Sequence, residues 1–254
     1  MSVYSITFSP TGGTEKAAAA LAKALGEEPR QVDLTDAALD FQKVAFGPED
    51  VCLVAVPSFA GRVPATATSR LEQIKGGGAA AVLMTVYGNR AYEDTLVELR
   101  DVLTKAGFRC VAAVSAVAQH SIVGRFGAGR PDQEDCRELE AFGKKIREKL
   151  EGRDAFREPE IPGNRPYKAY GSSAIKPQGD EDCIRCGICA ARCPVGAIPV
   201  ATPAAVDAEK CISCMRCVAI CPRGARKVPQ ELVDALAQRL EKVCQERKNN
   251  QLFL

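Results

Sequence analysis

Apolar and polar residues follow two different patterns along the first 150 positions of the chain. Short, nearly unbroken apolar runs separate longer segments in which apolar residues recur every three or four positions. A continuous apolar run is typical of a parallel strand that is covered on both faces, and the longer period is that of an amphipathic helix. The pattern predicts strands at 3–8, 31–34, 51–56, 79–86 and 110–117, and helices at 15–25, 64–74, 92–106 and 132–150.

This alternation of strands and helices predicts an α/β fold, with a doubly wound, five-stranded parallel sheet in residues 1–151. Ligands of such sheets bind beyond the carboxyl ends of the strands, where the strand order reverses. Residues 152–179 are rich in proline and glycine and predict a linker. Leucines at helical spacing among charged residues predict a C-terminal helix in residues 230–254.

The distribution of cysteines marks a second domain at 180–229. The chain has 12 cysteines, and they are concentrated between Cys183 and Cys221. A C-x2-C-x2-C-x3-C-P run begins at Cys183 and is repeated from Cys211. In a reducing compartment such density indicates metal binding or catalysis, because disulfides rarely persist there.

The spacing of the two runs is that of bacterial two-cluster ferredoxins, in which the fourth cysteine of each run binds the other cluster. It predicts one [4Fe–4S] cluster on Cys183, Cys186, Cys189 and Cys221, and a second on Cys193, Cys211, Cys214 and Cys217. The alternative is a pair of structural zinc sites, which use two separated cysteine pairs. A third cysteine at the same step and the Cys-Pro pair, both repeated, favour two clusters in a small α+β ferredoxin-like domain.

A loop rich in hydroxyls and glycine follows the first predicted strand and opens the first helix. Its candidate ligand-binding residues are Ser9, Thr11, Gly12, Gly13 and Thr14. Free backbone N–H groups and the helix dipole make such a position an anion site. The loop lacks both the Walker pattern and the G-x-G-x-x-G pattern. It suits a terminal monoester phosphate, and the alternative is a simple helix cap.

The motif Ser9-x-Thr11-Gly12-x-Thr14 resembles the FMN-phosphate loop of flavodoxins, and the resemblance covers roughly residues 1–150. Two further loops agree in position with flavodoxin loops that contact the flavin ring. They comprise Ser58, Phe59, Ala60, Gly61 and Arg62 after the third strand, and Tyr87, Gly88, Asn89, Arg90 and Tyr92 after the fourth. The resemblance implies FMN, with Phe59 and Tyr87 or Tyr92 beside the ring. The chain departs from flavodoxins in having no tryptophan.

With the cysteine runs attached, the whole chain resembles the flavodoxin–ferredoxin fusions called EFR1-family ferredoxins. Arg62 and Arg90 either stabilise negative charge on a reduced flavin or are solvated loop residues. His120, the only histidine, is either a structural hydrogen-bonding residue or a general acid near the flavin. Cys52, Cys110, Cys136 and Cys244 are expected to be buried thiols.

The composition of the chain narrows its possible functions. The net charge of +2 gives no reason to expect a nucleic acid as partner. No apolar run is long enough to span a membrane, and the first residues lack the features of a secretory signal, so we expect a cytoplasmic protein. The leading hypothesis is an electron-transfer protein that works with redox protein partners. The alternatives are an FMN-dependent reductase of a small organic substrate, and a binding module braced by its clusters.

Overall fold

The structure is a computed structural model that describes residues 2–26, 28–152, 157–171 and 173–254. Its strands are β1 (Val3–Thr7), β2 (Arg30–Asp33), β3 (Val51–Pro57), β4 (Ala80–Tyr87), β5 (Arg109–Val117), β6 (Gln178–Gly179), β7 (Arg226–Lys227) and β8 (Gln251–Phe253). Its α-helices are α1 (Gly13–Ala22), α2 (Ala65–Leu71), α3 (Thr95–Lys105), α4 (Gln133–Glu151), α5 (Ile188–Ala191), α6 (Arg216–Ala219) and α7 (Gln230–Cys244). Every element predicted before residue 152 is present, with bounds that agree to within one helical turn.

Five parallel strands form the main sheet in the order β2-β1-β3-β4-β5. This is the flavodoxin-like doubly wound order, which reverses between β1 and β3. Helices α1 and α4 cover one face of the sheet, and α2 and α3 cover the other. Because both faces are covered, every residue of β4 is buried, as its continuous apolar run predicts. The predicted fold class is confirmed.

A sixth, antiparallel strand completes this sheet within the described residues. The helix predicted for 230–254 ends at Cys244, and β8 pairs with β5 so that Leu252 lies opposite Val114. Asn250 is buried beside the pair, and its Oδ1 accepts a hydrogen bond of 2.9 Å from the N–H of Val117. The C-terminal segment therefore belongs to the sheet of the first domain.

The described part of the predicted linker packs on α3. The buried Asp94 carboxylate accepts hydrogen bonds from the backbone N–H groups of Asn164 (2.8 Å) and Lys168 (2.7 Å). Farther along α3, Asp101 forms an ion pair with Arg165. Residues 153–156 and 172 of the predicted linker lie outside the described residues.

The cysteine-rich segment folds as a small α+β unit around the β6–β7 ribbon and the short helices α5 and α6. An apolar cluster joins it to the rest of the protein. Met215 of this unit packs with Val123 and Phe126 from the loop after β5, and with Leu236 of α7. In the part of the chain that the structure describes, no helix combines the length and apolarity needed to cross a membrane.

Candidate functional site: two cysteine cavities beside a phosphate loop

The cysteines of the two runs line two separate cavities. The outer cysteine cavity is lined by Cys183, Cys186, Cys189 and Cys221, and the inner cysteine cavity by Cys193, Cys211, Cys214 and Cys217. Each cavity takes three cysteines from one run and the fourth from the other, which is the grouping that the spacing predicts. All eight thiols are free of disulfide bonds.

The same backbone conformation shapes both three-cysteine loops. In the first loop Arg185 has a φ of 55° and Gly187 a φ of 76°, and in the second Ser213 has 56° and Met215 has 62°. Three of these four residues carry a side chain, which makes the left-handed region costly. Alternation of left- and right-handed residues turns successive N–H groups into one concavity that binds anionic atoms. The chain maintains this costly geometry twice, around each set of sulfurs.

The fourth cysteine of each run receives backbone hydrogen bonds. The N–H of Ala197 donates to Cys193 Sγ at 3.3 Å. Burial raises the pKa of the Cys221 thiol, but hydrogen bonds from backbone N–H groups, among them those of Arg223 and Ala225, bring it below its ordinary value. Such donors stabilise the thiolate, which is the form that binds a metal.

The residues that line the two cavities differ in their exposure to solvent. Around the outer cavity Ile184 is 62% exposed and Ile188 is 42% exposed, and Arg185 and Arg223 also face solvent. None of the residues that line the inner cavity is exposed. Ile212, which corresponds to Ile184 in the repeat, packs against the core that α2 and α3 share.

The inner cavity adjoins the carboxyl edge of the main sheet. Arg216, on its lining, brings Nη1 to 3.5 Å from the carbonyl oxygen of Ser9 in the predicted phosphate loop. Nη2 of Arg70 on α2 donates to the carbonyl oxygen of Pro194 at 2.7 Å. Sequence analysis missed both arginines. The sequence contained one signal for Arg216. It occupies the position equivalent to Ile188 of the first run, so a charged residue stands where the repeat has an apolar one.

The predicted phosphate loop offers unpaired donors at the start of α1. Gly12 has a φ of 87° and precedes the helix without a side-chain cap. The hydroxyl oxygen of Ser9 accepts a hydrogen bond of 2.9 Å from the N–H of Glu15. Within the described residues no acceptor meets the backbone N–H groups of Thr11, Gly12, Gly13 and Thr14 or the two threonine hydroxyls. This set of donors fits a phosphate group.

The loop after β3 lies beside α3. The Ser58 hydroxyl is 2.7 Å from Oγ1 of Thr95. Gly61 has a φ of +88°, and a Cβ there would clash with Glu93. Arg62 forms a two-fold hydrogen bond with the buried carboxylate of Glu98, at 2.8 and 2.7 Å. Arg62 is therefore already paired. Phe59 is half-buried and Ala60 is exposed.

The loop after β4 supports the C-terminal segment. Tyr87 is buried and meets Tyr92 edge to face, with ring centroids 5.3 Å apart. The hydroxyl of Tyr92 donates to the side chain of Gln251, and the side-chain amide of Asn89 donates to the carbonyl oxygen of Cys244 at the end of α7. Arg90 is paired with Glu93 at 2.8 Å. The flavin contacts predicted for these loops stay predictions.

His120 has a well-defined structural environment. Its Nδ1 accepts hydrogen bonds from the backbone N–H groups of Ile122 (3.1 Å) and Val123 (3.0 Å). Burial, helped by the charge of Arg90, lowers the pKa of the imidazole to about 4. The ring is therefore neutral at pH 7. A Cβ at Gly88 would clash with it, so this glycine permits close packing of the two loops.

The remaining cysteines are structural. Cys52, Cys110 and Cys244 are buried, and Cys136 is half-buried. Burial raises the pKa of Cys110 to about 11, so its thiol stays protonated and apolar in character.

Comparison with known families identifies the cysteine-rich segment. Residues 182–225 match the family described as 4Fe-4S dicluster domain. This segment is therefore a ferredoxin-type 4Fe–4S domain, and the five parallel strands of the flavodoxin-like sheet precede it in the chain. No curated protein sequence matches the chain.

Solved structures similar to the chain cover its first domain. A flavodoxin from the domain Archaea is 13% identical with a TM-score of 0.42, over 60% of this chain and 100% of that one. The rubredoxin oxygen:oxidoreductase of Desulfovibrio gigas is 19% identical with a TM-score of 0.43, over 59% of this chain and 36% of that one. Oxidised flavodoxin 1 of Bacillus cereus is 17% identical with a TM-score of 0.40, over 56% and 95%. The fold assignment rests on the strand order and not on these similarities.

Proposed function

We propose that the chain is an electron-transfer protein that relays electrons between two [4Fe–4S] clusters and FMN, as its resemblance to EFR1-family ferredoxins implies. One observation carries the proposal: eight cysteines surround two cavities, four to each, and one cavity adjoins the phosphate loop with its unpaired donors. Clusters carry single electrons, whereas a flavin takes one or two. A protein that holds both kinds of cofactor side by side therefore connects one-electron and two-electron carriers.

In this proposal the residues of the chain have distinct tasks. Each cavity holds one cluster on its four cysteines, and the left-handed loops direct N–H groups toward it. The N–H groups and hydroxyls from Thr11 to Thr14 bind the FMN phosphate. Phe59 and Tyr87 or Tyr92 stand beside the flavin ring. Arg216 spans the space between the inner cavity and the phosphate loop, so it holds the two sites together.

In this proposal the external partner docks at the outer cavity, because residues around it are exposed. Ile184 and Ile188 present apolar surface there, and Arg185 and Arg223 add positive charge. A redox protein of the cytoplasm that docks at this surface exchanges electrons with the outer site. The buried inner site then mediates between the outer site and the flavin. Because both sites belong to one chain, transfer between them does not wait for diffusion.

No specific contact favours the alternative function, an FMN-dependent reductase of a small organic substrate. His120 is neutral at pH 7 and is held by two backbone N–H groups, so it is a poor general acid. Arg62 and Arg90 are neutralised by Glu98 and Glu93. Electron transfer between proteins is therefore the better conclusion.

Metal analysis tests the cluster part of the proposal. Anaerobically purified protein is expected to contain about eight irons per chain, because each four-cysteine site of this type holds four. A value near four, or zinc in place of iron, would contradict the ligand assignment.

Flavin retention tests the phosphate loop. Replacement of Thr11 or Thr14 by leucine removes a hydroxyl and fills the concavity, so FMN binding is expected to weaken at least tenfold by fluorescence titration. That is the loss of about one hydrogen bond to a charged group. Thr66→Leu, in the first turn of α2, is the matched control. Equal FMN affinity in all variants would place the phosphate elsewhere.

A further inference from the structure

Arg226 is the largest fully buried side chain in the described chain, with 1% of its surface exposed. Its guanidinium is surrounded by backbone carbonyls. Nη1 donates to those of Pro203 (3.0 Å), Ala204 (2.8 Å) and Ala205 (3.1 Å), and Nη2 donates to that of Pro177 (2.7 Å). The side chain is thus fixed in one orientation.

These contacts leave the charge of Arg226 unbalanced. All four acceptors are neutral, and no carboxylate in the described ranges forms an ion pair with Arg226. Its Nε is also buried and meets no acceptor at hydrogen-bonding geometry among these residues. A buried guanidinium without a counter-charge is strongly unfavourable. Negative charge close to this guanidinium would therefore stabilise it.

Cysteine sulfurs of the outer cavity are placed to supply that charge. Arg226 lines this cavity together with Cys183, Cys186, Cys189 and Cys221. A cysteine bears negative charge in its thiolate form, which is the form that binds a metal.

The internal repeat shows that the fold does not require a cation at the position of Arg226. Arg226 directly follows the sequence Cys221-Pro-Arg-Gly-Ala, and the equivalent sequence from Cys193 is followed by Ile198. Ile198 is 5% exposed and lines the inner cavity. An apolar residue thus fills the equivalent position, so packing alone does not require a cation at 226.

We propose that Arg226 is an electrostatic positioning residue, whose fixed charge on the lining of the outer cysteine cavity raises the reduction potential of the cluster held there. The inference rests on the proposed function, because it requires a cluster in that cavity. Reduction adds one electron from an external one-electron reductant to a cluster, and no bond forms or breaks. A nearby fixed cation stabilises the added negative charge, most strongly where water is excluded.

The test compares variants of the full-length, anaerobically purified protein. Arg226→Met keeps the length of the side chain and removes its charge, and Arg226→Lys keeps the charge. Arg223→Met is the matched control, because Arg223 is an exposed cation on the lining of the same cavity. Iron content is measured first, and midpoint potentials are then taken from reductive titrations with dithionite, followed by electron paramagnetic resonance.

We expect Arg226→Met to move the midpoint of the outer cluster to a more negative potential, Arg226→Lys to stay close to the wild type, and Arg223→Met to cause a smaller shift. If Arg226→Met loses iron while Arg226→Lys retains it, the requirement for charge is also supported. Unchanged midpoints in an iron-replete Arg226→Met protein would overturn the inference, as would equal iron loss in both Arg226 variants. Wild-type protein without iron would instead refute the proposed function itself.

Discussion

The side chain of Asn89 joins the loop after β4 to the C-terminal segment through hydrogen bonds. Its buried side chain donates to the carbonyl oxygens of Cys244 (2.8 Å) and Glu246 (2.9 Å) and accepts from the N–H of Lys248 (3.1 Å). Asn89 itself has a φ of 61°. Replacement by glycine therefore removes the side chain without adding backbone strain.

The expected effect follows from these three contacts. A protein hydrogen bond contributes about 1 kcal/mol net, so the three together contribute about 3 kcal/mol to holding the segment closed. A difference of 3 kcal/mol is a factor of about 100 in an equilibrium constant. In Asn89→Gly the backbone amides of β8 are thus expected to exchange with deuterium about 100-fold faster, through local opening of the C-terminal segment.

Hydrogen exchange followed by mass spectrometry measures this change in the peptide that contains residues 245–254. Asn249→Ala is the matched control, since Asn249 lies in the same segment and is exposed. Exchange at β4 reports on global unfolding and is expected to remain slow. Wild-type exchange rates at β8 in Asn89→Gly, or an equal increase in the control, would refute the reasoning.

Three further outcomes are expected. Cys221→Ser removes one ligand of the outer site and should lower iron by about half, whereas Cys52→Ser should leave it unchanged; equal losses would contradict the assignment. Burial lowers the pKa of His120 to about 4 in the folded protein. Between pH 6.5 and 4 the unfolded state therefore binds more protons than the folded state, and the free energy of unfolding falls as the pH falls. His120→Gln should flatten this pH dependence in denaturant titrations, and an unchanged slope would exclude His120 as its source. Arg130→Met removes the buried partner of the Asp135 carboxylate, which among the described residues then keeps only the longer ion pair of 3.4 Å with Arg247. It should cost about 3 kcal/mol of unfolding free energy, the lower end for removal of one partner of a buried pair, and a loss under about 1 kcal/mol would contradict this reasoning.

Features determined by short-range sequence pattern were predictable. The continuous apolar runs of β3 and β4 and the charged face of α4 locate these elements within a few residues. The cysteine spacing predicted the grouping around the two cavities, because a cluster ligand set constrains loop length directly.

Features that depend on distant contacts were not predictable. Strand β8 has only three residues, which is too short for a recognisable period, and it owes its existence to the free edge of β5. Asn89 was interpreted as a flavin contact from its position, and this stays a prediction. Its hydrogen bonds to Cys244 at the end of α7 and to Glu246 beyond it could not be predicted from the local sequence. Ile184 and Ile212 are the same residue at equivalent places in the repeat, and only docking against the sheet distinguishes their environments.

The position of β8 makes the flavodoxin-like sheet a discontinuous domain, with the cysteine module inserted between β5 and its last strand. A fragment cut after residue 151 would expose the backbone of β5 as an open edge, the kind of surface that pairs with other chains and aggregates. A fragment suited to isolated flavin binding has to keep α7 and β8, with a short bridge in place of the module. Exchange of the cysteine module for another electron-carrying domain preserves the sheet only if the new domain is joined after residue 151 and before α7.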